Sequence, residues 1–208
     1  MDDERRTRSG TLDSGDRDSL VARVEAAFRE SISVKEKVME TAGETIVRMA
    51  ELTAEVFRGR KRLFIFGNGG SAADSQHLAA EFVNRFRLER APLPALALTV
   101  DSSVLTSIAN DYHFDEVFEK QLKAFGHAGD AALGLSTSGR SPNVVRALKW
   151  ARENGLHTLG LAGEAVTEMD AYCDLVVHVP SPETARVQEV HLTVEHIFCQ
   201  LVEAILFS

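Results

Sequence analysis

The sequence predicts an α/β protein, a single domain whose parallel β-sheet is flanked by helices and preceded by two N-terminal helices. Three observations predict it. From residue 62 onward short apolar runs alternate with helical patterns, and strands joined by helices imply right-handed crossovers and parallel pairing. Two of the expected strands end in glycine- or serine-rich loops that open a helix, the position at which parallel sheets bind ligands. The chain has 208 residues, 44% hydrophobic and 26% charged, enough for one well-packed domain and too few for two.

Taken in order, residues 1–17 are rich in Asp, Arg, Ser and Gly and carry almost nothing apolar, so a disordered tail is expected there and 18–208 form the domain. Leu20, Val21, Val24 and Phe28 begin one helical pattern. A second, over 34–57, sets Val38, Met39, Ile46, Met49, Leu52 and Phe57 in a broad apolar stripe. Two long helices ahead of the first strand exceed what one small sheet can cover, so they are expected to pack against another copy of the chain. Strands are expected at 62–66, 95–100, 131–136, 156–161 and 174–179. Helices are expected at 71–87, 103–110, 114–126, 142–154 and 184–207.

The totals exclude several classes. A net charge of −8 is the wrong sign for nucleic acid, whose phosphates call for a basic stripe, and it disfavours an anionic membrane surface. No run of eighteen apolar residues occurs and the first twenty residues are polar, so neither a span nor a signal peptide is expected. Cys173 and Cys199, the only cysteines, lie in apolar surroundings and fit reduced structural thiols of a cytoplasmic protein rather than a disulfide framework or a nucleophile.

The chemistry centres on residues 62–81. The run Leu63–Phe66 breaks at Gly67-Asn68-Gly69-Gly70, and a helix opens at Ser71. Glycines there let backbone N–H groups converge, and the helix start adds partial positive charge, a cup for an anion. Gly67-x-Gly69-x-x-Ala72 also matches a dinucleotide fingerprint with Asp101 as the ribose acid. The interval to Asp101 exceeds the usual ~20 residues, which counts against a nicotinamide enzyme. No triphosphate-binding G-x-x-x-x-G-K-[ST] occurs. A second loop, Ser136-Thr137-Ser138-Gly139-Arg140-Ser141, offers four hydroxyls ahead of a helix. It is either a phosphomonoester site built from neutral donors or a polar turn in which Ser138 or Ser141 caps the helix.

His77 and Glu81 share a helix face at i,i+4, as a metal pair, an acid–base pair or ordinary exposed neighbours. The last helix sets Gln188, Glu189, His191, Glu195 and His196 in a strongly apolar background. Buried polar groups need partners, since one left unpaired costs about 1–3 kcal/mol. Spacing does not choose between the two histidines. Asn110-Asp111, after a short apolar helix, either bind sugar hydroxyls or end the helix.

Together these residues resemble the SIS (sugar isomerase) domain family. The resemblance runs from about residue 20 to the C-terminus. It rests on Gly67-Asn68-Gly69-Gly70-Ser71-Ala72-Ala73-Asp74, His77-x-x-x-Glu81, Ala109-Asn110-Asp111, Ser136-Thr137-Ser138-Gly139-x-Ser141, and Arg186-Val187-Gln188-Glu189-x-His191 with His196. It implies a three-layer α/β/α sandwich on a five-stranded flavodoxin-like sheet and a homotetramer with sites between subunits. The activity implied is aldose–ketose isomerisation of sedoheptulose 7-phosphate to D-glycero-D-manno-heptose 7-phosphate, the opening step of nucleotide-activated heptose synthesis. By the same resemblance Asn68, Gly69, Gly70, Ser71, Asn110 and Asp111 hold the sugar, with Glu81 and Gln188 beside it. Ser136, Thr137, Ser138 and Ser141 hold its phosphate. One zinc ion per subunit sits on His77, Glu81, Gln188 and His196, with Glu81 and His196 as the acid–base pair. The competing class is a non-catalytic phosphosugar-binding or replication-initiator-binding regulator on the same fold. Such relatives lack the Glu and second His of the pair, and both are present here. Ala185 replaces an acid found in some members, and Arg90-Ala91-Pro92 replaces a more usual Arg-Pro.

Overall fold

A computed structural model describes residues 14–207. Helix α1 runs unbroken from Ser14 to Arg58, where the sequence predicts two helices. Nothing between the two apolar stripes stops a helix: 29–33 contains neither Gly nor Pro, and its two serines cost only about 0.5 kcal/mol each. Residues 14–17, assigned to the tail from sequence, are the first turn of α1; 1–13 lie outside the described residues. The first half of α1 leaves Leu20, Val21, Val24, Phe28 and Ile32 exposed. The second half buries Val34, Val38, Ile46, Met49 and Ala50 in the core.

The rest alternates: β1 Leu63–Gly67, α2 Gly70–Val83, β2 Ala95–Ala97, α3 Ser102–Asp111, α4 Val117–Phe125, β3 Ala131–Ser136, α5 Pro142–Glu153, β4 His157–Ala162, β5 Leu175–His178 and α6 Thr184–Phe207. Short 3-10 turns precede α4 (Phe114–Glu116) and β5 (Glu168–Tyr172). The five strands pair in the order β2-β1-β3-β4-β5, all parallel. Side chains alternate across the sheet with period two. Leu63, Ile65, Leu133, Leu135, Leu159, Leu161 and Val177 join the core with α1, α2 and α6. Phe64, Phe66 and Ala132 pack with α4 and α5 through Leu122, Val144 and Leu148. The result is the expected three-layer sandwich. By length and composition α6 would serve to cross a membrane, with a mean hydropathy of 1.4 in its most apolar window. Its Val187, Val190, Val194, Phe198 and Val202 are instead buried in the core beside the sheet.

Two elements end sooner than the sequence predicts. Strand β2 stops at Ala97, opposite Ile65, although β1 runs on to Gly67; one further bond, Leu98 N–H to Ile65 O at 2.9 Å, closes the ladder. Helix α2 ends at Val83 rather than 87. The backbone N–H groups of Phe86, Arg87 and Leu88 are taken by the carboxylate of Glu203 on α6, at 3.0–3.1 Å. Arg90, paired to Glu203 at 3.1 Å with both side chains 2% exposed, donates to the carbonyls of Glu81 and Phe82. Long-range partners thus satisfy the helix end that a further turn would otherwise satisfy.

Candidate active site

The carboxyl ends of β1 and β3 lie side by side, Gly67 opposite Leu135, so the two loops singled out in the sequence are neighbours. Gly69 takes a positive φ of 56° as the residue before α2. A Cβ at Gly70 would lie 2.4 Å from the Gln188 amide, which would have to move aside. Ser71 is buried in the first turn of α2. Asn68 exchanges two amide hydrogen bonds of 2.8 Å with Asn143 of α5, which ties the first loop to the helix that follows the second. Gly67, Asn68, Gly69, Ala72, Thr99 and Leu105 line a cavity of about 120 Å³. Asn110 and Asp111 close α3, exposed and hydrogen-bonded to each other at 2.8 Å; neither lines that cavity.

In the second loop Ser136 and Ser141 face each other, Oγ to Oγ, at 2.9 Å. Among the described residues Ser141, at the position before α5, makes no side-chain capping bond, and Ser138 Oγ accepts from Arg140 N–H at 3.2 Å. A capping turn would commit these hydroxyls to the helix. They are not committed to it among the described residues, and they stand as hydroxyl donors just ahead of a helix whose first residue, Pro142, has no N–H.

Helices α2 and α6 pack together and decide which histidine is which. His196 Nε2 meets His77 Nε2 at 2.9 Å, Glu81 lies 3.7 Å from the same His77 nitrogen, and Phe86 stacks on His196 at 5.6 Å. His191 is fully buried and bonds the Ala162 carbonyl at 3.2 Å through Nε2; burial pushes it down to about 4 despite that bond. Two turns before His196, Gln188 donates to Asp74 at 3.0 Å. Burial raises the Asp74 carboxyl, against the Gln188 bond and the nearby His77. Glu195, 1% exposed, has no hydrogen-bond partner for either oxygen among the described residues. Burial, then the charge of Asp74, pushes it up to about 8.

His77, Glu81 and His196 are zinc-type donors, with His77 Nε2 lying 2.9 Å from His196 Nε2 and 3.7 Å from Glu81. Gln188 would join them only by leaving Asp74. Among the described residues no three His, Cys, Asp or Glu side chains are drawn closely enough together to form a finished metal cage. Sequence reasoning passed over Asn143, Asp74 as a partner of Gln188, and Phe86. Asn143 carried a signal, being polar on the face of α5 that buries Val144, Ala147 and Leu148.

The five-stranded parallel sheet flanked by helices is the architecture expected of the SIS domain family. Residues 28–163 match that family, and the chain belongs to it. Over 180 residues the chain is 53% identical to the phosphoheptose isomerase of Nitratidesulfovibrio vulgaris, covering 86% of each. It is 48% identical over 187 residues to that of Clostridium acetobutylicum, covering 89% of this chain and 95% of the other. The structure of phosphoheptose isomerase GmhA from Neisseria gonorrhoeae superposes with a TM-score of 0.85 at 42% identity, covering 89% and 99%. The chain is an isomerase.

Proposed function

We propose that this isomerase interconverts sedoheptulose 7-phosphate and D-glycero-D-manno-heptose 7-phosphate in the cytoplasm, opening the route to nucleotide-activated heptose. The meeting of His77, Glu81 and His196, drawn from two helices 119 residues apart in sequence, carries the proposal. An ordinary exposed i,i+4 pair would not attract a histidine from another helix. The relatives named phosphoheptose isomerases support the substrate.

The hydroxyls of Ser136, Thr137, Ser138 and Ser141 hold the phosphate, while Asn68, Gly69, Gly70 and Ser71, with Asn110 and Asp111, receive the sugar. The Glu81 carboxylate removes the proton from C1 of the open-chain ketose. The C–H electrons form the C1–C2 double bond, and the C2 oxygen takes a proton, giving an enediol. His196 moves protons between the two oxygens. As the C1 oxygen loses its proton and becomes a carbonyl, Glu81 returns its proton to C2. Zinc on His77, Glu81 and His196 would supply charge stabilisation for the oxygens of the enediolate.

We infer a homotetramer with sites completed between subunits. The exposed stripe of Leu20, Val24 and Phe28 on α1 supports it, as does an apolar groove of about 340 Å³ between α1 and α6, lined by Val38, Met39, Ile46, Val190, Val194 and Leu201. The test is incubation of the protein with sedoheptulose 7-phosphate, following the appearance of an aldose. Glu81→Gln should retain inorganic phosphate binding and lose most turnover. Near-normal turnover in that variant removes Glu81 as the base.

A further inference from the structure

We propose that Thr167 is a positioning residue for the phosphate-binding loop, held in place by Asp170 and His178. The proposal rests on the assignment of residues 136–141 to the substrate phosphate. Within that loop Gly139 has a positive φ of 65°, and its carbonyl is taken by the Thr167 hydroxyl at 2.7 Å. Thr167 lies on a different loop, the one that follows β4.

The direction of the Thr167 hydroxyl is set by its own surroundings. Thr167 N–H donates to Asp170 Oδ2 at 2.7 Å, and Asp170 N–H donates back to the Thr167 carbonyl at 3.2 Å, so the two residues hold each other at the start of the 3-10 turn. The single hydroxyl proton has two acceptors in range, Gly139 O at 2.7 Å and Asp170 Oδ2 at 3.4 Å, and the shorter contact, to Gly139, takes it. Asp170 is held in turn: its Oδ1 lies 2.7 Å from His178 Nε2 at the end of β5, and His178 Nδ1 lies 2.9 Å from the Gly163 carbonyl. Gly163 presses on the same phosphate loop, where an added Cβ would stand 2.2 Å from the Thr137 carbonyl. The two loops therefore meet at two points, Thr137 with Gly163 and Gly139 with Thr167, and the hydrogen bonds lead back to a sheet strand.

Anchoring the 3-10 turn does not require the hydroxyl. Met169, fully buried beside Gly160 and packed into the core, does that. What the hydroxyl adds is a fixed direction for the peptide at Gly139, between Ser138 and Ser141. A phosphate held by several neutral donors depends on their alignment before it arrives, because each misdirected donor loses its bond.

The experiment compares Thr167→Val, which keeps shape and removes the hydroxyl, with Thr167→Ser, which restores it. The readouts are inhibition by inorganic phosphate and the separate kcat and KM for sedoheptulose 7-phosphate. Thr167→Val should raise the phosphate inhibition constant and KM about tenfold, the equivalent of one hydrogen bond of ordinary strength, with kcat within about twofold. Thr167→Ser should return both constants to near the parent values. Asp170→Asn should shift both constants in the same sense and decides the matter if Thr167→Val does not fold. The proposal is overturned if Thr167→Val leaves phosphate inhibition unchanged, if only kcat falls, or if Ser and Val behave alike. Ser136→Ala separates the two levels. Should it leave phosphate inhibition intact, the loop assignment itself fails; should it weaken inhibition while Thr167→Val does not, only the role of Thr167 fails.

Discussion

Glu195 gives the sharpest stability prediction. Its carboxyl is 1% exposed with no partner for either oxygen among the described residues, and burial followed by Asp74 raises it from 4.5 to about 8. Between those values the folded protein keeps a proton that the unfolded chain has released. The Glu195 contribution is thus fully present below pH 4.5 and is lost as pH rises towards 8. Each pH unit in that window removes about 1.4 kcal/mol, so by pH 7 the loss is about 3 kcal/mol. Glu195→Leu removes the carboxyl at similar volume. In urea unfolding at fixed protomer concentration and equal metal content, the variant should gain on the parent by about 3 kcal/mol between pH 4.5 and 7. His191 works in the opposite sense: its folded value of about 4 gives stability present above 6.5 and lost as pH falls towards 4. Both proteins share it, so it cancels in the difference. A difference between the two proteins that stays constant from pH 4.5 to 8 would refute the placement of Glu195 as an unpaired buried acid.

Other perturbations have equally definite outcomes. Arg90→Met strands a carboxylate on Glu203, and removing one partner of a buried pair costs about 3–5 kcal/mol, readable as a lower thermal midpoint. Burial alone would raise Glu203, but the N–H groups of residues 86–88 and Arg90 outweigh it and bring it below 4.5. Its contribution is therefore present above pH 4.5 and lost as pH falls through the folded value, and Glu203→Gln should flatten the acid limb of the stability curve. Gly70→Ala sets a Cβ against the Gln188 amide, so Gln188 must leave Asp74; the expected result is a raised KM with the thermal midpoint little changed. Chelation should abolish turnover while inhibitor binding by inorganic phosphate survives, and retention of both would remove zinc from the proposal.

Much of the fold was legible because parallel strands buried on both faces are short continuous apolar runs. Strand β3 at 131–136 and helix α6 at 184–207 fall where the sequence sets them. Where sequence and structure differ, the reasons are particular. The pattern divides helix α1 because its two halves have different surroundings, one exposed and one in the core, and a stripe alone cannot separate a break from a change of neighbour. Helix α2 ends four residues before the pattern does because its end is set by Glu203 and Arg90, more than a hundred residues apart from each other in sequence.

The same division runs through the site. Sequence alone marked the two glycine- and serine-rich loops at strand ends, since Gly67–Gly70 and Ser136–Ser141 owe their character to local backbone and hydroxyl groups. It also placed His77 and Glu81 on one helix face. Spacing alone did not choose between His191 and His196; the resemblance named His196, and helix packing set it against His77. Only tertiary structure paired Gln188 with Asp74 and left Glu195 without a partner among the described residues. Those outcomes depend on which side of α6 meets α2, and helix packing is fixed by the summed burial of both helices and the sheet rather than by any local pattern in either.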